Sequence, residues 1–211
     1  SAASDVYKRQ VFCLKKDRFQ DVVWIGTDGQ GVYLYSNPLY SIKSMVLSNY
    51  TEKIERPVRA IYLDDERTFW VGTKGNGILK IYDYEFDKNI SDCRAEVLTT
   101  SNSALSSNAV YCFAKSHRNL LWIGDEEGLT YYSYREKRIK SIPIRIGNED
   151  FKYIHDIYET ADSELWLASV GMGVVKARIA GTPDNPVIVD AQRYIINDGE
   201  LGSNYFFTIY A

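Results

Sequence analysis

The sequence predicts an all-β chain arranged as a β-propeller, and three observations lead there. A tryptophan opens a near-identical phrase four times: WIGTDGQG from Trp24, WVGTKGNG from Trp70, WIGDEEG from Trp122 and WLASVGMG from Trp166. These tryptophans stand 46, 52 and 44 residues apart, the period of four-stranded propeller blades. An apolar run begins twelve or thirteen residues before each of them, so every unit starts with two extended segments. The expected architecture is four four-stranded antiparallel blades plus the first strand of a fifth, a fragment of a larger propeller.

The first strand of each blade is expected at residues 11–14, 58–63, 110–113 and 154–158. Its apolar anchors lie three apart (Val11 and Leu14, Val58 and Ile61, Val110 and Phe113, Ile154 and Ile157), so they point to opposite faces of a period-two strand. Both faces are therefore expected to be buried, as when sheets pack on sheets around an axis. The second strand carries the tryptophan. Its ring fills the wedge between neighbouring blades, and the small residue two places later lets the next backbone come close.

A polar turn follows, with glycines suited to positive φ: Asp28 to Gly31, Lys74 to Gly77, then Gly128, and Gly171 with Gly173. Third strands are expected at 32–35, 78–82, 129–132 and 174–178, and fourth strands near 42–47, 94–98, 139–144 and 186–194. The blades thus run over about 11–48, 58–98, 110–145 and 154–195, and residues 205–211 align with the start of a fifth. Residues 1–10 match no part of the repeat and are set aside as a non-repeat segment that need not be native.

Twenty-five basic residues against 28 acidic ones give a net charge of −3 with no basic block, which argues against a nucleic-acid partner. No run approaches eighteen apolar residues, so this piece is expected to make no membrane contact of its own. Aromatic residues make up 14%, with 17 tyrosines, which suits strand-rich packing and equally a sugar- or protein-binding surface. Cys13 and Cys112 occupy the same place in two non-adjacent blades and read as small buried residues, and Cys93 is the odd third, so no disulfide framework is expected.

No nucleophile–base pair, carboxylate pair or CxxC spacing stands out, and neither a metal nor a cofactor is expected. The acidic tip Asp125, Glu126, Glu127 lacks the alternating ligands of a calcium loop. The glycine-rich turns open strands and not helices, which removes a phosphate cradle. Of the two histidines, His117 sits in a turn and His155 takes the second place of a first strand.

Propeller geometry brings the turn after the tryptophan strand and the start of the innermost strand to one rim. The second places of the first strands are Phe12, Arg59, Tyr111, His155 and Phe207. Arg59, Tyr111 and His155, together with Asp28, Gln30, Lys74, Asn76, Asp125 and Glu126 at the turn tips, are the candidate ligand-binding residues. Trp24, Trp70, Trp122, Trp166, Gly31, Gly77, Gly128 and Gly173 read as structural. A convergence of mixed polar and aromatic groups suits a polyhydroxylated ligand.

On WIGT at 24–27, WVGT at 70–73, and the lead-in phrases LSSNAV at 105–110 and LGSNYF at 201–206, the chain resembles the two-component regulator propeller family. The resemblance runs from about Val11 to the end. It departs where Asp125 replaces threonine in a turn one residue shorter, and where Ala168 and Ser169 replace Gly-Thr. It implies part of a seven-bladed propeller in the periplasmic sensor region of a hybrid two-component system, with membrane helix, histidine kinase and response regulator elsewhere in a longer protein. It also implies no enzymatic activity in this piece, an oligosaccharide ligand, and a homodimer. A propeller lyase or hydrolase, or a protein-interaction scaffold, are the alternative readings.

Overall fold

In each repeat the apolar run and the tryptophan run pair antiparallel, and two more strands extend the sheet outward. The computed structural model describes residues 10–36, 41–45, 56–83, 93–199 and 201–210. Blade one is β1 (Val11–Lys16), β2 (Val22–Thr27), β3 (Val32–Ser36) and β4 (Ser41–Met45). Blade two is β5 (Val58–Leu63), β6 (Phe69–Thr73), β7 (Ile78–Ile81) and β8 (Ala95–Leu98), and blade three is β9 (Val110–Lys115), β10 (Leu120–Asp125), β11 (Leu129–Ser133) and β12 (Arg138–Ile142). A two-residue hairpin, β13 (Arg145–Ile146) and β14 (Glu149–Asp150), precedes blade four, which is β15 (Ile154–Glu159), β16 (Glu164–Ser169), β17 (Gly173–Thr182) and β18 (Asn185–Tyr194). All four sheets keep strictly sequential strand order.

The chain divides into two compact units, one holding blades one and two and the other blades three and four. In the first, β1 and β2 pack against β5, closing a core of Trp24, Val32, Leu34, Val58, Phe69 and Val71 with their neighbours. Cys93, placed by sequence in a long connection, is buried in that core. In the second, β10 packs against β15 over Trp122, Tyr131, Ile154, Leu165, Leu167 and Val175. In the first strands the anchors Val58 and Ile61 of β5 and Ile154 and Ile157 of β15 are buried, as the apolar spacing predicts, while in β9 Val110 is buried and Phe113 half-buried.

The turn joining first and second strands carries a device the sequence reading lacked. Asp17 and Asp64 each follow directly on the first strand, and both are almost fully buried. One oxygen of each accepts turn amides: Phe19 N at 2.8 Å and Gln20 N at 2.9 Å for Asp17, Glu66 N at 2.9 Å and Thr68 N at 2.8 Å for Asp64. The second oxygen accepts the indole N–H of Trp24 or Trp70, each at 2.9 Å. A buried indole needs an acceptor, and the local aspartate supplies it.

Three expectations need correction. Val11 and Leu14 are 53% and 65% exposed, so both-face burial does not hold for β1, whose outer face no described residue covers. Trp24, Trp70 and Trp122 are fully buried, whereas Trp166 is half-buried, stacked on Tyr194 with ring centres 6.0 Å apart and 5.5 Å from the Lys176 ammonium. Tyr205 makes a single bridge to Val170, and no ladder extends over residues 206–210, so the expected fifth first strand is seen only as an extended segment. Residues 1–9, 37–40, 46–48, 84–92 and 211, to which the reading also extended, lie outside the described residues.

Candidate functional site

In blades one, two and four the glycine turn lies beside the start of its own first strand. The amide of Asp28 donates to Gln10 O at 3.0 Å, that of Lys74 to Pro57 O at 2.8 Å, and that of Val170 to Tyr153 O at 3.2 Å. The two segments so form one rim, as propeller geometry leads one to expect. Much of the rim backbone is committed to the fold. The Asn108 carbonyl accepts both Gly75 N at 2.8 Å and Gly77 N at 2.9 Å, and the Asn204 carbonyl accepts Gly171 N at 2.9 Å and Gly173 N at 3.1 Å. The lead-in phrases ending in these asparagines therefore fasten the chain to the preceding glycine turn.

Gly77 and Gly173 are required there twice over. Their φ values of 73° and 83° are left-handed, and a Cβ on either would sit 2.2 Å from the carbonyl oxygen of Leu98 or Tyr194. Gly31 and Gly128 share the positive-φ conformation, at 79° and 145°.

At the tips, Gln30, Lys74 and Asn76 are exposed and Asp28 is half-buried. Asp125 is placed otherwise. It is fully buried, with Oδ1 accepting Glu127 N at 2.9 Å and Gly128 N at 3.0 Å, and Oδ2 accepting the Ser106 hydroxyl at 2.6 Å. Burial pushes its carboxyl from the ordinary 3.8 up to about 6, and the Ser106 and turn hydrogen bonds oppose that rise. In blades one and two the same place holds Thr27 and Thr73, whose hydroxyls donate to Gly31 O at 2.8 Å and Gly77 O at 2.9 Å. In the shorter turn one carboxylate oxygen accepts two amides and the other the Ser106 hydroxyl, whereas the Thr73 hydroxyl accepts one amide, Asn76 N at 2.9 Å, and spends its proton on Gly77 O. The departure from the repeat thus turns Asp125 into the turn and away from the rim surface. Glu126 is half-buried and receives the Ser107 hydroxyl at 3.4 Å.

The second places of the first strands behave as a set. The pairing register slips by one residue at Phe12, at Arg59 and at His155, the mark of a bulge in β1, β5 and β15. A bulge takes the side chain out of the strict in–out alternation and re-aims it. Within the first unit, the Arg59 guanidinium lies over the Phe12 ring at 3.6 Å. Within the second, Tyr111 and His155 stack at 4.2 Å with 14° between planes, and Phe207 meets His155 edge-on at 5.5 Å. Tyr111 and His155 are half-buried and Phe207 is 66% exposed, so the stack presents an accessible flank.

Asp156, which the sequence reading passed over, anchors the exposed end of that stack: its Oδ2 accepts the Thr208 hydroxyl at 2.9 Å and Ile209 N at 2.8 Å. The signal was present, since Asp156 stands where the other blades carry Cys13, Ala60 and Cys112. Of those two cysteines, Cys112 is the small buried residue expected, while Cys13 is half-buried. A Cβ at Gly26 or Gly124 would lie 2.5 Å from the sulfur of Cys13 or Cys112. Desolvation raises the Cys13 thiol to about 11 and that of Cys112 well above its ordinary value.

No protein-family model matches the chain. By sequence it is 31% identical over 140 residues to translation initiation factor 6 of Saccharolobus solfataricus, a match covering 60% of this chain and 57% of that protein. Among solved structures it is similar to PorZ, an essential bacterial surface component of the type-IX secretion system of Porphyromonas gingivalis, with TM-score 0.68 and 14% identity over 94% of this chain and 29% of that one. It is also similar to the extracellular domain of a hybrid two-component system of B. thetaiotaomicron, with TM-score 0.67 and 24% identity over 92% of this chain and 24% of that one. The β-propeller domain of Cps50 (Swd1) of Myceliophteria thermophila matches with TM-score 0.57 and 13% identity over 89% of this chain and 61% of that one. The chain spans less than two thirds of the translation factor and of each of these structures. With its sequential antiparallel four-stranded sheets, it has the fold of a β-propeller, and the same fold serves as the extracellular domain of a hybrid two-component system.

Proposed function

We propose that this chain is a non-enzymatic, ligand-sensing part of a propeller that works outside the cytoplasm, in the periplasm, as the receptor region of a hybrid two-component sensor. The observation that carries the reading is the ring contacts that the second residues make within each unit, the bulged Phe12 with the bulged Arg59 in one and the bulged His155 with Tyr111 and Phe207 in the other. Repeated strands that bend at the same place to present aromatic and donor groups make a surface for the faces and hydroxyls of an oligosaccharide. Likeness of fold to the extracellular domain of a hybrid two-component system supports the sensing role. No feature of the site favours a reading drawn from the name of the translation factor.

Binding would signal only by favouring one arrangement of the longer protein, or of a homodimer, over another. Isothermal titration against a broad panel of neutral and acidic oligosaccharides tests the reading. At least one should bind, and Tyr111→Ala or His155→Ala should weaken it about tenfold, the worth of one well-placed stacking contact. A folded protein silent across the whole panel would count against sugar sensing.

A further inference from the structure

We infer that the rim of blade two recognises an acidic group of the ligand, a carboxylate or a sulfate, with Arg59 as the principal contact and Arg56 and Lys74 beside it. The inference rests on the sensing reading above and narrows its ligand class.

Among the described residues no carboxylate pairs with Arg59, and unlike the exposed Lys74 it is held half-buried. Its Nε is buried and makes no hydrogen bond, although guanidinium N–H groups are among the strongest donors a protein carries. Its flat face is held on Phe12 at 3.6 Å, so the plane of the fork on this half-buried side chain is fixed. The bulge at Arg59 is what puts the side chain in this position.

Among the described residues the surroundings add positive charge. Lys74 is tied by its amide to Pro57 O at 2.8 Å, and the space beside Gly75 is bounded at 3.4 Å by Arg56 Cγ, so the two exposed cations border the start of the strand that carries Arg59. Among the described residues none of these three makes an ion pair. Several cations elsewhere on the protein are paired, as Arg18 is with Asp65 at 2.8 Å, Lys176 with Glu164 at 2.8 Å and Arg193 with Glu149 at 2.9 Å. An oxyanion that presents two oxygens side by side, as a carboxylate or a sulfate does, would satisfy the fork two bonds at a time, and a neutral hydroxyl would leave the cations unbalanced.

The test titrates the chain with three probes: tetragalacturonate, which carries carboxylates; a carrageenan tetrasaccharide, which carries sulfates; and neutral galactotetraose. Binding of either acidic probe is expected, weakened at least about tenfold by Arg59→Gln and only partly restored by Arg59→Lys, which keeps the charge and loses the fork. Arg56→Gln and Lys74→Gln should each weaken it a few-fold, with unchanged thermal unfolding midpoints as the folding control, and binding should fall with salt. The arm that binds identifies the anion. A second readout is the Arg59 Nε–H resonance, which should shift with the acidic probes and stay still with the neutral one. If galactotetraose binds and Arg59→Gln leaves its affinity unchanged, the inference falls while the sensing reading stands. If neither acidic probe binds nor moves that resonance, the inference also falls, and the broad panel then decides the sensing reading separately.

Discussion

The indole N–H of Trp122 donates to the carboxylate of Glu159 at 2.7 Å, across 37 residues of chain. Trp24 and Trp70 find their acceptors within their own hairpins, at Asp17 and Asp64. Blade three has Ser116 at that place, and its hydroxyl reaches only the turn amide of Arg118, at 3.0 Å. The missing carboxylate is supplied from β15 of the next blade, so a contact that is local in two repeats ties two blades together in the third. Glu159 is buried, and its other oxygen lies 3.7 Å from Arg118 Nε.

Removing that shared acceptor should be costly. Glu159→Ala leaves a buried indole donor and the Arg118 guanidinium without it, a loss of about 2–3 kcal/mol, or roughly 5–10 °C in the unfolding midpoint for a chain of this size. Adding Ser116→Asp to Glu159→Ala restores the local acceptor and should recover part of the loss. Differential scanning calorimetry of the two single variants and the double checks this, and a double variant no more stable than Glu159→Ala would refute the equivalence of the two devices.

Alanine at Gly26 and at Gly124 should destabilise unequally. At Gly26 the new methyl meets Cys13 Sγ at 2.5 Å and Val58 Cγ1 at 2.8 Å, both side-chain atoms. At Gly124 it meets Cys112 Sγ at 2.5 Å and the Ile154 carbonyl oxygen at 2.7 Å, which is backbone. Overpacking costs about 1–3 kcal/mol in each case. Pairing with Cys13→Ala should relieve most of the Gly26→Ala cost, whereas Cys112→Ala should relieve little of that of Gly124→Ala. Urea midpoints of the four combinations read the difference directly.

Asp125 makes stability depend on pH in a stated direction. Its folded pKa, raised to about 6 from an ordinary 3.8, means that the folded chain holds the proton more tightly than the unfolded one. Its contribution is therefore fully present below about pH 4 and is lost as pH rises through 6. Asp125→Asn keeps an acceptor for the two turn amides and removes the titration. The midpoint difference between wild type and Asp125→Asn should shift in favour of the variant as pH is raised from 4 to 7, and a difference that stays flat would contradict the assignment.

The cysteines should be inert in the folded protein. With its pKa near 11, only about a thousandth of Cys13 is thiolate at pH 8, and buried Cys112 and Cys93 are no better placed. Titration with Ellman's reagent should show negligible reaction under native conditions and all three thiols in denaturant. Rapid native labelling of Cys13 or Cys112 would mean that the blade edges open.

The repeat was legible because its determinants are short-range. The hairpin of each tryptophan strand, its glycine turn, and the small residue at Gly26 and Gly124 all lie within one blade and recur at one period. The choice of Phe12, Arg59, Tyr111, His155 and Phe207 as one set came from that period alone, and the structure gathers them as Phe12 with Arg59 and as Tyr111 with His155 and Phe207. Asp17 and Asp64 could have been found the same way, as acids seven and six residues before a tryptophan.

Other outcomes depended on what lies across the blade. Asp125 reads as a rim acid until Ser106 and two amides are seen to enclose it, and Trp166 reads like its three counterparts although it is only half-buried. Val11 and Leu14 have the pattern of buried anchors and are exposed, because periodicity reports which residues share a face and not whether another sheet covers it. The sequence by itself determined the blade, its turns and its repetition, since those follow from backbone propensity and contacts a few residues apart. Only the tertiary structure decided which donors found acceptors and which were left without one, Trp122 on Glu159 and Arg59 with a bare Nε, because those partners come from segments that packing alone brings into reach.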